Sequence, residues 1–206
     1  MLKDNLSRKR MLNIVCLGDS ITYGYRATVK RGEQVDMDYP KVLKKMLRQK
    51  YEYDFINVVN SGDPGWQVRQ ALKNLDSKVF SHKPDLCVIM YGINDSRGSF
   101  NGGLPRSEKQ FYDEYNKLIL QLKNKGIEVI IMTPNYAKVR RLSKFCEIIK
   151  QIGIEQNIQV VDNYILFEEI VNINGVKSIL PDKIHLRDDL YEIIAYNLMK
   201  EIINEQ

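Results

Sequence analysis

Five short apolar segments, each of strand length and separated from the next by an amphipathic stretch, form the dominant pattern of this 206-residue chain. In the stretches between them, apolar residues recur at spacings of three and four, as in helices that pack one face against a core. Strands that alternate with helices are joined by right-handed crossovers and run parallel. The five segments are Leu12–Leu17, Phe55–Val59, Leu86–Tyr91, Val129–Met132 and Gln159–Val161.

This alternation predicts an α/β fold: a three-layer α/β/α sandwich around a five-stranded parallel sheet in the flavodoxin-like order 2-1-3-4-5. The length favours one domain, and no linker, repeat or low-complexity segment interrupts the pattern. We therefore predict a basic tail over residues 1–11 and a single domain over residues 12–206. The principal helices are expected at residues 39–50, 66–80, 107–125, 141–156 and 187–203.

Composition excludes several classes of protein. With 44% hydrophobic and 28% charged residues, the chain is neither collagen-like nor largely disordered. The net charge of +5 arises in the first 50 residues, whose lysines and arginines we interpret as a solvated tail and a polar helix face, not as a nucleic-acid surface. No membrane span or signal-peptide core is present. Three cysteines without paired spacing indicate a reducing compartment, so a cytoplasmic location is expected.

Polar, turn-rich segments follow the first three predicted strands. In open parallel sheets, ligands bind beyond the carboxyl ends of the strands, where the winding direction reverses. In the order 2-1-3-4-5 this position falls beside Ser20. A serine here fits a helix N-cap, or a nucleophile if a base, an orienting group and oxyanion donors lie near it. The three segments are Gly18-Asp19-Ser20, residues 60–65 and Gly92-Ile93-Asn94-Asp95.

Only two histidines are available as the base. His82 precedes the third strand, so we expect it on the surface at the opposite edge of the sheet. His185 lies in the segment that enters the last helix and can return over the carboxyl edge. Asp182, three residues earlier, could accept the imidazole Nδ1–H and fix its tautomer. Taken alone, this pair also fits an ordinary helix start.

Oxyanion donors can be sought in the same loops. The candidates are the backbone N–H groups of Ser20 and Gly62 and the side-chain amide of Asn94, because glycine permits close backbone approach and an amide donates without ionising. Each of these residues also fits an ordinary turn.

Together the four blocks resemble those of the SGNH, or GDSL-type, hydrolases, in the order that the family has and over residues 14–191. The resemblance implies an ester hydrolase in which Ser20 is the nucleophile, His185 the base and Asp182 its orienting carboxylate. It also implies an oxyanion hole formed by Ser20, Gly62 and Asn94. The matching blocks are Gly18-Asp19-Ser20, Gly62, Gly92-x-Asn94-Asp95 and Asp182-x-x-His185.

One position departs from that family. Its members usually carry Gly-Tyr five and six residues after the histidine, whereas this chain has Leu190-Tyr191. A glycine there allows close helix packing, so Leu190 puts the seating of the last helix in question. No cofactor is expected, and neither a metal set nor the G-x-G-x-x-G spacing of a dinucleotide site is present in the sequence.

The expected substrate is a small-molecule or glycan ester with a short acyl group, most simply acetyl, on a polar or sugar alcohol. Aromatic rings near the strand ends could stack on a sugar face. The candidates for substrate contact are Asp19, Tyr23, Trp66, Tyr91 and Tyr136, with Tyr25 and Phe100 nearby.

Three other functions stay open on the sequence. An acyltransferase would use the same residues with an alcohol in place of water, and a lysophospholipase or thioesterase would differ only in its substrate. A binding module without catalysis would be expected to have lost at least one of the four blocks. The oligomeric state is not indicated by the sequence.

Overall fold

The computed structural model describes residues 11–28, 32–99 and 103–203. Residues 1–10 of the predicted tail and Phe100 lie outside these ranges, and the division into a tail and one domain stays a prediction. Five parallel strands form one sheet in the order β2-β1-β3-β4-β5, which confirms the predicted order. The strands are β1 (Leu12–Gly18), β2 (Ile56–Gly62), β3 (Leu86–Met90), β4 (Glu128–Thr133) and β5 (Val160–Asp162).

Ten α-helices are assigned within the described residues. They are α1 (Ser20–Tyr23), α2 (Tyr39–Tyr51), α3 (Val68–Lys73), α4 (Leu75–Lys78), α5 (Ile93–Arg97), α6 (Glu108–Lys123), α7 (Leu142–Gln156), α8 (Asn163–Asn174), α9 (Val176–Ile179) and α10 (Tyr191–Ile203). Short 3-10 turns cover Phe80–His82 and Asp188–Leu190. None of these helices has the length and apolar character that a membrane span requires.

Alternate residues of the strands enter two separate cores, one on each side of the sheet. Cys16 and Val88 join the core covered by α2, α8 and α10, while Leu17 and Ile89 join the core covered by α3, α4, α6 and α7. Because successive side chains on a strand point to opposite faces, a strand buried on both sides reads as a continuous apolar run. The apolar runs of the sequence therefore identify the central layer of the sandwich.

One predicted helix is interrupted, and one long helix, α8, was not predicted. The predicted helix over residues 66–80 is broken at Asn74, whose side-chain amide donates to the Gln70 carbonyl at 2.8 Å and whose backbone is not helical. Such local hydrogen bonds compete with the helix. Helix α8 was not predicted because its apolar residues are spread around its circumference, with Ile165 42% and Ile173 82% exposed. Its pattern therefore lacks the contrast that marks an amphipathic helix.

The first three strands, which are neighbours in the sheet, end at one level. Gly18 of β1 pairs with Gly62 of β2 on one side and with Met90 of β3 on the other. The polar segments that follow these strands therefore start side by side at the carboxyl edge. His82, in the exposed 3-10 turn before β3, lies at the opposite edge as expected.

Candidate active site

The first turn after β1 fixes the position of Ser20. Asp19 is the N-cap of α1, and its Oδ1 accepts the N–H of Ile21 at 2.9 Å, so the cap is the aspartate and Ser20 is the first helical residue. A Cβ atom at Gly18 would lie 2.0 Å from Thr22 Oγ1. Glycine therefore allows α1 to fold back close against the end of β1, where Ser20 is 6% exposed.

Ser20, His185 and Asp182 form one chain of hydrogen bonds. Ser20 Oγ lies 2.8 Å from His185 Nε2, and His185 Nδ1 lies 2.7 Å from Asp182 Oδ2. With the carboxylate accepting from Nδ1–H, Nε2 is left to accept the hydroxyl proton of Ser20. The arrangement brings together the three residues that the sequence indicated.

The loop that carries His185 is attached to the segment after β4. Asn135 Nδ2 donates to the Ile184 carbonyl at 3.1 Å, and the N–H of Lys138 donates to the Lys183 carbonyl at 2.9 Å. Lys183 has a φ of 72°, a left-handed conformation that costs energy for a residue with a side chain. The loop thus turns sharply between Asp182 and His185 and returns the imidazole over the sheet.

Asp182 is held in its ionised form. Partial burial acts to raise its pKa, but the imidazole and backbone N–H of His185, together with the N–H of Ile184, outweigh this effect and lower the pKa to about 2. A negative charge is therefore present beside His185 over the whole physiological pH range.

Asn94 lies in the short helix α5 after β3, with its side chain beside Asp19. It is 5% exposed, and its side-chain amide donates to Asp19 Oδ2 at 3.3 Å and to the Trp66 carbonyl at 3.1 Å. The Gln67 amide in turn donates to the Asn94 carbonyl at 2.8 Å. Asn94 is thus fixed between the loops that follow β1 and β2.

Gly62 does not offer the free donor that was expected. Its N–H donates to Asn60 Oδ1 at 2.9 Å, and a Cβ there would lie 2.2 Å from the Tyr23 nitrogen, so this glycine is needed for close packing of α1 on β2. Gly65, three residues later, has a φ of 82°, and no acceptor for its N–H lies within hydrogen-bonding distance among the described residues. It precedes Trp66, whose carbonyl accepts from Asn94. The sequence signal for Gly65 is a second glycine in the same loop.

Two further carboxyl groups, those of Asp19 and Asp95, lie buried next to Asn94. Burial raises the pKa of Asp19 to about 6, against the opposing hydrogen bond from Ile21. Burial raises the pKa of Asp95 to about 8, although the N–H of Val68 donates to its Oδ1 at 3.1 Å. The second oxygen of Asp95 has no partner within the part of the chain that the structure describes.

The predicted substrate contacts divide into buried and accessible residues. Asp19 is 1% exposed and Tyr91 is fully buried in the core, so neither can contact a substrate, and the prediction for these two residues is corrected. Tyr23, Trp66 and Tyr136 are partly exposed. The Lys78 ammonium lies 5.2 Å from the centre of the Trp66 ring. The roles of these three aromatic residues stay predictions.

The cysteines and the candidate metal ligands were considered as further reactive groups. Cys16, Cys87 and Cys146 are buried and form no disulfide, and burial raises the pKa of each thiol well above its ordinary value. Over the described ranges, no group of three or more His, Cys, Asp or Glu side chains is arranged to hold a metal ion.

The last helix begins at Tyr191, later than predicted. Leu190 ends the preceding 3-10 turn and packs, half-buried, against the core, while Tyr191 is fully buried. The leucine is therefore accommodated outside the helix that follows it.

Comparison with known proteins identifies the family. The sequence profile of the GDSL-like lipase/acylhydrolase family matches residues 16–193. An acetylxylan esterase of Geobacillus stearothermophilus is 28% identical over 204 residues, which cover 92% of this chain and 93% of that protein. The lipoprotein YqeF of Bacillus subtilis (strain 168) is 30% identical over 124 residues, covering 59% of this chain and 47% of YqeF.

Solved structures agree with this result. The crystal structure of Axe2, an acetylxylan esterase from Geobacillus stearothermophilus, superposes with a TM-score of 0.79 at 25% identity and covers 93% of this chain and 94% of Axe2. Variants of Axe2 in which one serine or one aspartate is replaced by alanine are catalytic mutants. Given this match and the Ser-His-Asp arrangement, the chain belongs to the GDSL-like lipase/acylhydrolase family and is a carboxylic ester hydrolase.

Proposed function

We propose that the protein hydrolyses a short acyl ester, most simply an acetyl ester, of a sugar or similar polar alcohol through an acyl-enzyme formed on Ser20. The observation that carries this proposal is the continuous hydrogen-bond chain from Ser20 through His185 to Asp182, with heavy-atom distances of 2.8 and 2.7 Å. Such distances are within the range required between a nucleophile, its base and the orienting carboxylate.

In the first half-reaction, Ser20 Oγ attacks the ester carbonyl carbon while its proton moves to His185 Nε2. The imidazolium that results is stabilised by the Asp182 carboxylate. Collapse of the tetrahedral intermediate breaks the bond to the alcohol, which leaves with the proton from Nε2. In the second half-reaction, water attacks the acyl-enzyme and gives one proton to His185 Nε2. The bond between the acyl carbon and Ser20 Oγ then breaks, Oγ takes the proton back from Nε2, and the carboxylic acid leaves.

The charge on the tetrahedral oxygen would be stabilised by the backbone N–H of Ser20, the side-chain amide of Asn94 and a second backbone N–H. We assign the second backbone donor to Gly65 in place of Gly62. The support for this assignment is that Asn60 already accepts the Gly62 N–H, whereas the Gly65 N–H has no acceptor among the described residues. Asn94 would exchange its bond to the Trp66 carbonyl for one to the oxyanion.

The acetyl and sugar parts of the proposal are supported by the relatives and by the rim of the site. Two comparisons at 25–28% identity are with acetylxylan esterases that align over more than nine-tenths of the chain. Tyr23, Trp66 and Tyr136 provide partly exposed aromatic rings at the carboxyl edge, where amphipathic rings can stack on a sugar while their polar groups contact water.

A chain-length series of p-nitrophenyl esters tests the acyl group. We expect kcat/KM to be highest for acyl groups of two to four carbons and Ser20→Ala to lose at least about 10⁴-fold in kcat. Ser81→Ala, which changes an exposed serine near the opposite edge of the sheet, serves as the matched control and should keep full activity. A maximum at eight carbons or more would contradict the short-acyl proposal.

Acetylated xylo-oligosaccharides and a lysophospholipid, assayed side by side, test the alcohol. Release of acetate from the sugar with no cleavage of the lipid is the expected result. Addition of free sugar alcohols to the assay measures acyl transfer, because an acceptor that competes with water yields a new ester. Wild-type turnover by Ser20→Ala would contradict the proposed mechanism as a whole.

A further inference from the structure

The imidazole of His185 is covered by an aromatic ring. Tyr25, in the loop after α1, stacks on it with the ring centroids 4.2 Å apart and the planes inclined by 26°. This distance is within the range for attraction between an aromatic face and a cation. Tyr25 thus contacts the proposed base on its flat side, while Asp182 and Ser20 contact the two nitrogens at its edge.

Hydrogen bonds of the Tyr25 backbone hold this residue next to Ser20 and Tyr191. Its N–H donates to the Ser20 carbonyl at 2.9 Å, and its carbonyl accepts the hydroxyl of Tyr191 at 2.8 Å. An antiparallel bridge to Gln34 adds a third attachment. The backbone that carries the ring is therefore tied to the backbone of the nucleophile and to the first residue of the last helix.

The imidazole of His185 also interacts with charged side chains, whose effect has to be separated from that of the Tyr25 ring. Asp182 contacts Nδ1 directly, and the charge of Asp19 interacts with that of His185. The neighbouring Asp188 is paired with Arg26 at 2.8 Å. Asp182 approaches the imidazole at its edge, so the stacked aromatic face is an interaction of a separate kind.

We propose that Tyr25 is a positioning residue that fixes the plane of the His185 imidazole and stabilises the imidazolium formed when Ser20 attacks. The inference rests on the proposed function, because it assigns a protonated His185 to the reaction. The ring face carries negative electrostatic potential, so it attracts the imidazolium more strongly than the neutral imidazole. Its contribution is therefore greatest after the proton has moved.

Three variants separate the ring from the hydroxyl and from general effects on the fold. Tyr25→Phe keeps the face, Tyr25→Leu fills similar space without it, and Tyr196→Leu removes a tyrosine that is 57% exposed on α10. We expect kcat to fall about 3- to 10-fold in Tyr25→Leu, less than about 3-fold in Tyr25→Phe and not at all in Tyr196→Leu.

The pH profile of kcat/KM supplies a readout that a structural role would not move. In Tyr25→Leu the acidic limb should shift to lower pH by about 0.5 unit, because the imidazolium loses a stabilising contact. The limb should stay in place in Tyr25→Phe. The comparison is repeated in an Asp19→Asn background, because burial raises the pKa of Asp19 to about 6 and the variant removes that titration from the profile.

An unmoved acidic limb in Tyr25→Leu overturns the proposal, whatever the loss of kcat. Equal effects in Tyr25→Phe and Tyr25→Leu also overturn it, because they would assign the role to the hydroxyl. If Tyr25→Leu does not fold, Tyr25→Met replaces it with the same expectations. Failure of the proposed function is distinguishable, since it appears as activity in Ser20→Ala, which does not depend on Tyr25.

Discussion

Asp182 and Asp95 lie at the same edge of the sheet, yet the fold treats the two carboxyl groups in opposite ways. Donated hydrogen bonds from His185 and Ile184 lower the pKa of Asp182 to about 2, even though partial burial acts against them. Complete burial raises the pKa of Asp95 to about 8, and the hydrogen bond from Val68 does not offset this effect. The number of donors, set against the degree of burial, decides which carboxyl group is charged.

The difference in ionisation between Asp182 and Asp95 matches the charges that develop in the proposed reaction. Positive charge develops on His185, beside the carboxylate that stays ionised, and negative charge develops near Asn94, next to Asp95, whose ionisation is suppressed. A full negative charge beneath the oxyanion would oppose its formation. The site therefore places negative charge on the histidine side and reduces it on the asparagine side.

Removing the charge on the histidine side should have the largest effect. Asp182→Asn keeps an oxygen that can accept from the backbone N–H groups of Ile184 and His185 but removes the negative charge beside the imidazole. We expect kcat to fall about 10³- to 10⁴-fold with the fold intact, because the imidazole loses its charge partner and its tautomer. Steady-state kinetics with a matched thermal melt checks this, and a loss below tenfold would reject the assigned role.

On the opposite side, Asn94→Ala should lower kcat by about 10²- to 10³-fold with little change in KM, because the amide stabilises charge that develops mainly in the transition state. Asn94→Asp, which has the same shape but no donor, should be at least as impaired. Asn116→Ala on α6 is the control. A rise in KM at constant kcat would instead assign Asn94 to ground-state binding.

The smallest effect on catalysis is expected at Asp95. Its pKa is raised in the folded state, so its protonated form favours folding: this stability is fully present below the ordinary pKa near 4 and is lost as pH rises through about 8. Asp95→Asn should leave kcat/KM within about twofold and flatten the decline of Tm between pH 5.5 and 8.5.

Thermal melts of Asp95→Asn at both pH values, beside the exposed variant Asp113→Asn, measure that slope. In a chain of this size, 1 kcal/mol corresponds to about 2–4 °C in Tm. A wild-type slope that persists in Asp95→Asn would show that this carboxyl group does not carry it.

The sheet and its order could be predicted because strands buried on both faces, such as β3, are apolar throughout. Helix α8 could not, because apolar residues such as Ile165 and Ile173 lie among the polar residues of its exposed face. Ser20, His185 and Asp182 could be found because their motifs are local and only two histidines exist. The end of β2 could not be predicted. The strand continues through the polar residues Asn60 and Ser61 to Gly62, and polar residues of this kind are typical of a loop.

Contacts across the fold account for what the sequence analysis missed at the site. The choice between Gly62 and Gly65 depends on where the Asn60 side chain points, and the burial of Tyr91 depends on the helices that cover β3. The stacking of Tyr25 on His185 joins residues 160 positions apart. A single sequence carries no direct signal for any of these contacts.

The distance along the chain between Ser20 and His185 affects when the protein becomes active during folding. Ser20 and His185 are 165 positions apart, so the hydrogen bond between them closes a loop that includes most of the chain. Contacts of this range form late in folding because the entropy of loop closure opposes them until much of the structure is in place. During synthesis on the ribosome, all five strands of the sheet emerge before His185 does. Ester hydrolysis should therefore return after helical circular dichroism when the denatured protein is refolded.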